Sequence, residues 1–444
     1  MRNGLKMISR NAQPPNNKLT KEQIENFHLI IEEFFGIEWL NCGIDNPITN
    51  LWKRKDFLAS MELYYLSQAI NSFKDQPVWL NETIKSIKDK DTNNQKGALF
   101  ELIGLSYFKQ AGMDITPLGN SSPGIDAEIK TRNENVIGIS SKNYGLSSHY
   151  NEITRKIDSI YNLFINKLNL NLQAKLIIIT ESEYPNKHQF NRLEQLVESI
   201  IKKFNGRDSE TLIEDNWKLI LTKLNDLDKI ATDHKSHCLI FLTPFHQNEH
   251  KNLTDKIDKA FENIVRLGKQ ETDKRKNILF IHLPITAPVR YIRKLVKEYF
   301  KNNQNGISGV LLYQPSYIST LNGPNSIYHF NELIIRVEFN DWINNNDPEC
   351  IKYSFYDDAA DISPISHFLT DGINDIHLED YYIYQKGKIY IKHQFKDNSG
   401  LVSLPNLLPG IETTVIFESI ISDTEKQTFG IQGIYPPSAD LIII

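Results

Sequence analysis

Short, unbroken apolar runs set between helical stretches constrain this chain more than any other feature. Leu176–Thr180, Leu239–Phe245, Ile278–Pro284 and Gly309–Gln314 are rich in Ile, Leu and Val. A run of this length between helices reads as a strand covered on both faces. Helical spacing fills the intervals: Asn151 to Leu168, a stretch ending at Phe204, Asn252 to Leu267, and Val289 to Phe300. Strands alternating with helices predict an α/β protein, with the later runs expected to extend the sheet begun by the earlier ones.

On either side the pattern changes. Residues 21–90 read as a helical region: Ile24, Phe27, Ile30, Ile31 and Phe34 recur at helical spacing behind a Thr20–Gln23 capping box. Further helices are expected over Phe57–Phe73 and near Trp79–Ile87, with polar Lys88–Asn94 as a connector. After about residue 346, alternating or β-rich runs at Tyr381–Tyr384, Lys388–Ile391, Thr413–Phe417 and Gly430–Tyr435 are punctuated by Gly and Pro. The expected division is therefore a flexible basic arm (1–20), a helical region (21–90), a first α/β domain (91–230), an α/β extension or second α/β domain (231–345) and an acidic β-rich region (346–444).

Composition excludes several classes. With 40% hydrophobic and 24% charged residues and a net charge of -5, the chain is not largely disordered. Its longest apolar runs fall far short of the ~18 residues of a membrane span. The basic arm carries Arg2, Lys6, Arg10 and Lys18 without the apolar stretch of a signal peptide. Three scattered cysteines argue against a disulfide framework, which points to a reducing cytoplasm. Charge is unevenly spread: residues 96–206 hold 13 basic against 11 acidic groups, whereas residues 346–444 hold 6 lysines against 15 acids. The tail would repel a phosphate backbone, so any nucleic acid is expected at the first α/β domain.

That domain also carries the informative motif. Lys96-Gly-Ala-Leu-Phe-Glu101-Leu-Ile-Gly-Leu is followed by Gly112, Ser122-Pro-Gly-Ile-Asp126-Ala-Glu-Ile, and Gly138-Ile-Ser140-Ser-Lys142. Residues two apart on a strand share a face, so Asp126, Glu128 and Lys130 align on one strand and Ser140 and Lys142 on the next. Paired antiparallel across Thr131–Glu134, the two rows converge on one patch. Carboxylates beside a lysine suit phosphodiester hydrolysis: the acids hold Mg²⁺, which clamps phosphate oxygens, and the lysine stabilises charge developing at phosphorus. Each residue also has a plainer reading. Asp126 fits a turn, Lys142 an exposed strand end, and Glu101 a solvated helix edge, although a charge between Phe100 and Leu102 is costly unless paired. Glu128 and Lys130 read as surface charges.

Taken together, these segments resemble the restriction-endonuclease-like PD-(D/E)xK nuclease superfamily over roughly residues 95–182. The resemblance implies a mixed-sheet α/β core with Glu101 as the helix glutamate, Asp126 as the hairpin aspartate and Lys142 as the lysine. It implies Mg²⁺ as cofactor, with Mn²⁺ as a substitute, and DNA as substrate, with RNA left open. Restriction or phage defence, cutting as a homodimer, and target or partner selection through the accessory regions, including the acidic C-terminal region, follow from the resemblance as well. The sequence departs from the family at Ser140, where an acid is expected. Glu152 on the following helix could supply that carboxylate, Glu101 could complete the metal site with Asp126, or the fold could bind nucleic acid or protein without cutting.

Other clusters point elsewhere. His234, His237, Cys238, His246 and His250 lack the paired spacings of structural zinc sites. Tyr381, Tyr382, Tyr384 and Tyr390 fit sheet packing better than base stacking in so acidic a region. The loops of P-loop NTPases and dinucleotide enzymes, the G-x-S-x-G elbow and H-E-x-x-H are absent from the sequence.

Overall fold

The computed structural model describes residues 21–44, 46–53, 57–89, 92–119, 124–144, 148–168, 174–180, 182–204, 209–223, 237–283, 287, 289–303, 306–318 and 326–346, then the strand segments 366–370, 375–377, 381–386, 391–397, 400–402, 412–422 and 425–434, and residue 442. The basic arm, Thr20, His234 and Tyr390 lie outside these residues. Among the described residues no helix is long and apolar enough to cross a membrane. The chain is mixed α/β with two mixed sheets.

The N-terminal region forms α1 (Lys21–Phe35), α2 (Ile37–Asn41), α3 (Pro47–Lys53), α4 (Phe57–Ser72) and α5 (Pro77–Ile87). Helix α5 opens on Pro77, whose fixed φ suits a first turn. Helix α6 (Thr92–Gln110) begins inside the stretch expected to be a connector. Just past its end, Gly112, with φ 86°, lets the Met113 N–H turn back to the Phe108 carbonyl at 3.1 Å.

The first sheet has the order β1 (Asp114–Pro117), β2 (Ala127–Lys130), β3 (Val136–Asn143), β8 (Arg275–His282), β9 (Gly309–Ile318), β10 (Ser326–Ile335). Strands β1, β2 and β3 run antiparallel in turn, β3, β8 and β9 are parallel, and β10 returns antiparallel. The second sheet has the order β13 (Tyr381–Lys386), β7 (Cys238–Pro244), β4 (Ala174–Thr180), β6 (Trp217–Lys223), β5 (Ser209–Glu214), with only β7 and β4 parallel.

In this arrangement the later runs do not all extend one sheet begun by the earlier ones; the strands divide between two. The strand at 174–180 does not join the hairpin; the parallel neighbour of β3 is β8, far along the chain, with Ile139 opposite Ile278. Conversely β4 pairs with β7, from beyond the boundary drawn at 230. Helix α7 (Ser148–Lys167) and α8 (Lys187–Lys203) share a core with the second sheet through Ile153, Phe164, Leu193 and Phe241. Helix α9 (Glu249–Arg266) and α10 (Val289–Asn302) pack instead with the first sheet, through Leu253, Ile257, Ile281 and Leu312. Helices α1 to α6 are not a separate layer of their own: Leu66, Phe100 and Phe108 share one core with Phe280 of β8 and with Ile177 and Leu242 of the second sheet. A short helix α11 (Val337–Asn346) follows β10.

The boundary drawn at 346 is crossed too, because Tyr381–Lys386 forms the edge of the second sheet rather than part of a separate tail. The rest of that region is β-rich: β11 (Ser366–Thr370), β12 (Asp375–His377), β14 (Ile391–Asp397) and β15 (Gly400–Val402) make one sheet, and β16 (Glu412–Ser422) and β17 (Glu425–Ile434) a hairpin. Ile442 is buried in the core shared by α1 to α6.

A buried carboxylate ties these parts together. Glu249, at the start of α9, accepts a hydrogen bond from the Tyr144 hydroxyl at 2.8 Å and another from Tyr382 of β13, with Asn252 Nδ2 at 3.2 Å. Tyr144 directly follows β3, so one acid spans the first sheet, α9 and the edge of the second sheet.

Candidate active site

The β2–β3 hairpin sets out the chemistry by register. Ala127 lies opposite Ile139 and Glu128 opposite Gly138, which aligns Asp126 with Ser140. Backbone bonds extend the ladder one residue past β2: Asp126 N–H donates to Ile139 O at 2.8 Å, and its carbonyl accepts from Leu118 N–H at 2.8 Å. The approach is made at Gly124, with φ 101°, where an added Cβ would sit 2.9 Å from Asn263 Cβ. Only glycine suits both demands.

Asp126 accepts the Ser141 amide hydrogen at Oδ2, and Lys142 Nζ stands 4.0 Å from the same oxygen. Lys142 also donates to its neighbour's carbonyl, Ser141 O, at 2.9 Å. Burial raises the Asp126 carboxyl above its ordinary value, outweighing the Lys142 charge and the Ser141 N–H, which both favour the anion.

Glu101 comes from α6, between buried Phe100 and Leu102. Its carboxyl is pushed up to about 8, first by burial and then by the charge of Asp126. A hydrogen bond from the Trp79 indole and the charge of Lys142 oppose that rise. Glu101, Asp126 and Lys142 therefore act on one another, although they come from a helix and two strands. Gly104 lets α6 settle on β8: an added Cβ would lie 2.6 Å from the Phe280 ring.

Ser140 and Ser141 complete the floor. Ser140 is fully buried, and neither hydroxyl has a hydrogen-bond partner. Unpaired buried hydroxyls cost free energy unless something reaches them, a cost that tends to mark functional sites.

The structure does not bring Glu152 into this group. Its helix α7 belongs to the second sheet's core, and Glu152 pairs with Lys156 at 3.0 Å. That hydrogen bond holds its carboxyl below the ordinary value, against a smaller effect of burial, with His149 and Arg155 helping. Glu128 also differs from its reading as a surface charge. Burial pushes its carboxyl up, but bonds from Lys269 at 2.9 Å and Arg275 at 2.8 Å outweigh this and hold it low.

Two contributors were not expected from sequence. Trp79 is separated from Glu101 by a helix boundary and reads as one more apolar residue of an amphipathic helix. Lys256, on α9, donates to Asn143 O at 3.3 Å; burial lowers its pKa, as do the charges of Lys259 and Lys142. Asn143 itself clamps the end of β3, donating to Lys96 O at 2.9 Å and meeting His282 Nδ1 at 3.0 Å.

Among the described residues no group of three or more His, Cys, Asp or Glu side chains forms a metal cluster. Two carboxylates nevertheless match what Mg²⁺ takes from a protein, because that ion keeps several waters and binds phosphate oxygens directly. Two neighbouring acids with raised pKa values favour a cation between them. The donor set of Asp126 and Glu101 thus fits Mg²⁺ in kind. Of the histidine-rich segment, His237 is buried, and His246 stacks on His149 rather than on its sequence neighbours. Tyr382 is buried in the second sheet's core.

No protein family, curated protein or solved structure matches the chain.

Proposed function

We propose that this protein is a Mg²⁺-dependent endonuclease that hydrolyses phosphodiester bonds of DNA, on a restriction-endonuclease-like core. The observation that carries this reading is the convergence of Asp126, Lys142 and Glu101 from a hairpin and its covering helix, with both carboxyls pushed upward. The sheet order supports it: an antiparallel trio β1, β2, β3 is followed by a parallel crossover to β8, with α9 packed beneath. A Mg²⁺ or Mn²⁺ ion bound by Asp126 and Glu101 would stabilise charge on the phosphate and lower the pKa of its water.

The chain's own groups have distinct tasks. Asp126, fixed by the Ser141 N–H, presents one oxygen in a set direction. Glu101 is aimed by Trp79 and holds its proton near neutral pH; it would release that proton on holding a cation. Lys142 stands where charge builds on the non-bridging oxygen, and Lys256 adds a second positive charge close by. Ser140 offers a neutral hydroxyl in place of the family's acid, so Glu101, rather than Glu152, is the second carboxylate. Restriction or phage defence and a homodimer follow only from the resemblance.

A second reading has its own support. Ser140 removes a charge from the expected ligand set, as a nuclease fold retained only for binding would. Supercoiled plasmid incubated with Mg²⁺ or Mn²⁺ separates the two. Nicking that stops with chelator and in Asp126→Asn is expected; plasmid left intact under both metals would sink the nuclease reading.

A further inference from the structure

The second sheet has a cleft of its own, apart from the hairpin. Strands β4 and β7 lie side by side and parallel, and their chains leave in different directions. After β4 the chain enters α8, which packs over β5 and β6; after β7 it enters α9, which packs on the first sheet. A crevice opens at the carboxyl ends of parallel strands where successive connections diverge in this way, and such crevices are the usual ligand sites of open α/β sheets. Here the crevice measures about 560 Å³ and lies between the β4–α8 loop, the β7–α9 loop and the first turns of α7. Small-molecule sites span roughly 300–1,000 Å³.

Its lining has a definite chemistry. His149 and His246 stack at 3.6 Å between ring centroids and 18° between planes, and Tyr184 meets His246 edge-on at 4.9 Å. The three rings come from three separate segments and form a stacking platform beside open space. Lys156 and Lys187 line the same crevice, Lys156 lying over the Phe190 ring at 4.2 Å. Glu152 and Glu183 line it too. Rings for a planar base, acids for hydroxyl or amine donors and a lysine for an anion are the three needs of one ligand class.

We infer that this crevice binds a mononucleotide, its base against the His149–His246–Tyr184 platform and its phosphate toward Lys187. The site is separate from the proposed nuclease centre and does not depend on it. It also gives Glu152 a place: the acid lines the crevice at the second sheet, away from the hairpin.

The test is calorimetric titration of the full-length protein, in chelator, with AMP, GMP, CMP and UMP separately. At least one should bind saturably, with a dissociation constant below about 1 mM. Tyr184→Ala should weaken it roughly tenfold or more, the share expected of a lost stacking partner. Lys187→Ala, at an exposed position, should weaken the nucleotide but not the corresponding nucleoside. Asp126→Asn should leave binding unchanged. The inference is overturned if all four titrations are flat, or if inorganic phosphate alone binds as tightly as the nucleotide. It also fails if folded Tyr184→Ala and Lys187→Ala both bind like the wild type, or if Asp126→Asn abolishes binding.

Discussion

Replacing Glu101 by glutamine should make the metal-free protein more stable at neutral pH, because the acid is held in a setting that resists its ionisation. An exposed glutamate titrates at 4.5, and this one is pushed up to about 8. Below pH 4.5 the carboxyl is protonated in both folded and unfolded chains and costs nothing. As pH rises, the unfolded chain releases the proton while the folded one keeps it, so stability falls at about 1.4 kcal/mol per pH unit until the folded group ionises near pH 8. Over that interval the loss reaches ~5 kcal/mol as an upper bound, with about 3 kcal/mol present at pH 7. Glutamine has the same shape, still accepts the Trp79 indole hydrogen, and carries no charge, so the variant escapes the loss. Urea unfolding of both proteins in chelator at pH 5, 6, 7 and 8 measures this. The other titratable groups are common to the two chains, and Asp126, which interacts with Glu101, ionises more easily without that charge, so the difference between them should grow steadily from pH 5 to pH 8. A difference independent of pH, or a wild type more stable than the variant at pH 8, would refute the reasoning.

Other substitutions test the neighbouring parts. Lys142→Met should lower the cleavage rate by about 10²–10³, as loss of a group that acts on transition-state charge does, while DNA binding changes little. In Trp79→Phe the hydrogen bond that favours ionised Glu101 is lost; its pKa should rise further, shifting the acid limb of the cleavage pH profile upward, with activity down about 10–100-fold. Gly104→Ala forces a methyl group against Phe280 and should destabilise the fold by about 1–3 kcal/mol in chemical denaturation.

What could be read from the sequence follows from how local each signal is. The Asp126–Lys142 hairpin was legible because alternation and a short turn encode it within about twenty residues. The partner of β3 was not: Leu176–Thr180 and Ile278–Pro284 are equally apolar and equally short, so nothing in either run says which sheet it joins. The chain sets a second sheet between a strand and its parallel neighbour, and only the completed core selects the pairing. The same reasoning applies to the acids. Glu152 was a candidate because the acid missing at Ser140 could come from the following helix, a role that the α7 packing and its pairing with Lys156 do not support. Glu101 had one local clue, a charge between two core residues, but its partner Trp79 lies on another helix. Tyr381–Tyr384 read as a β-run and falls within the strand Tyr381–Lys386, while its place beside β7 required residues more than a hundred positions away.

The hydrogen bonds of Glu249 have a consequence for the order in which the chain matures during synthesis. Tyr144 leaves the ribosome early, Glu249 later, and Tyr382 only after most of the chain has been made. Until that last hydroxyl arrives, the carboxylate at the head of α9 lacks one of its two tyrosine donors and retains water, since an incompletely paired buried acid is costly. Pairing across such separations is slow to form. Truncated chains ending before residue 380, once released from the ribosome, should therefore be cut by protease near the start of α9, and released chains extended past residue 390 should resist; equal cleavage of both would argue against this order. Helix α9 carries Lys256 to the end of β3, so the second positive charge of the proposed centre is added late, and a ribosome-bound fragment with the complete Asp126–Lys142 hairpin has Lys142 alone.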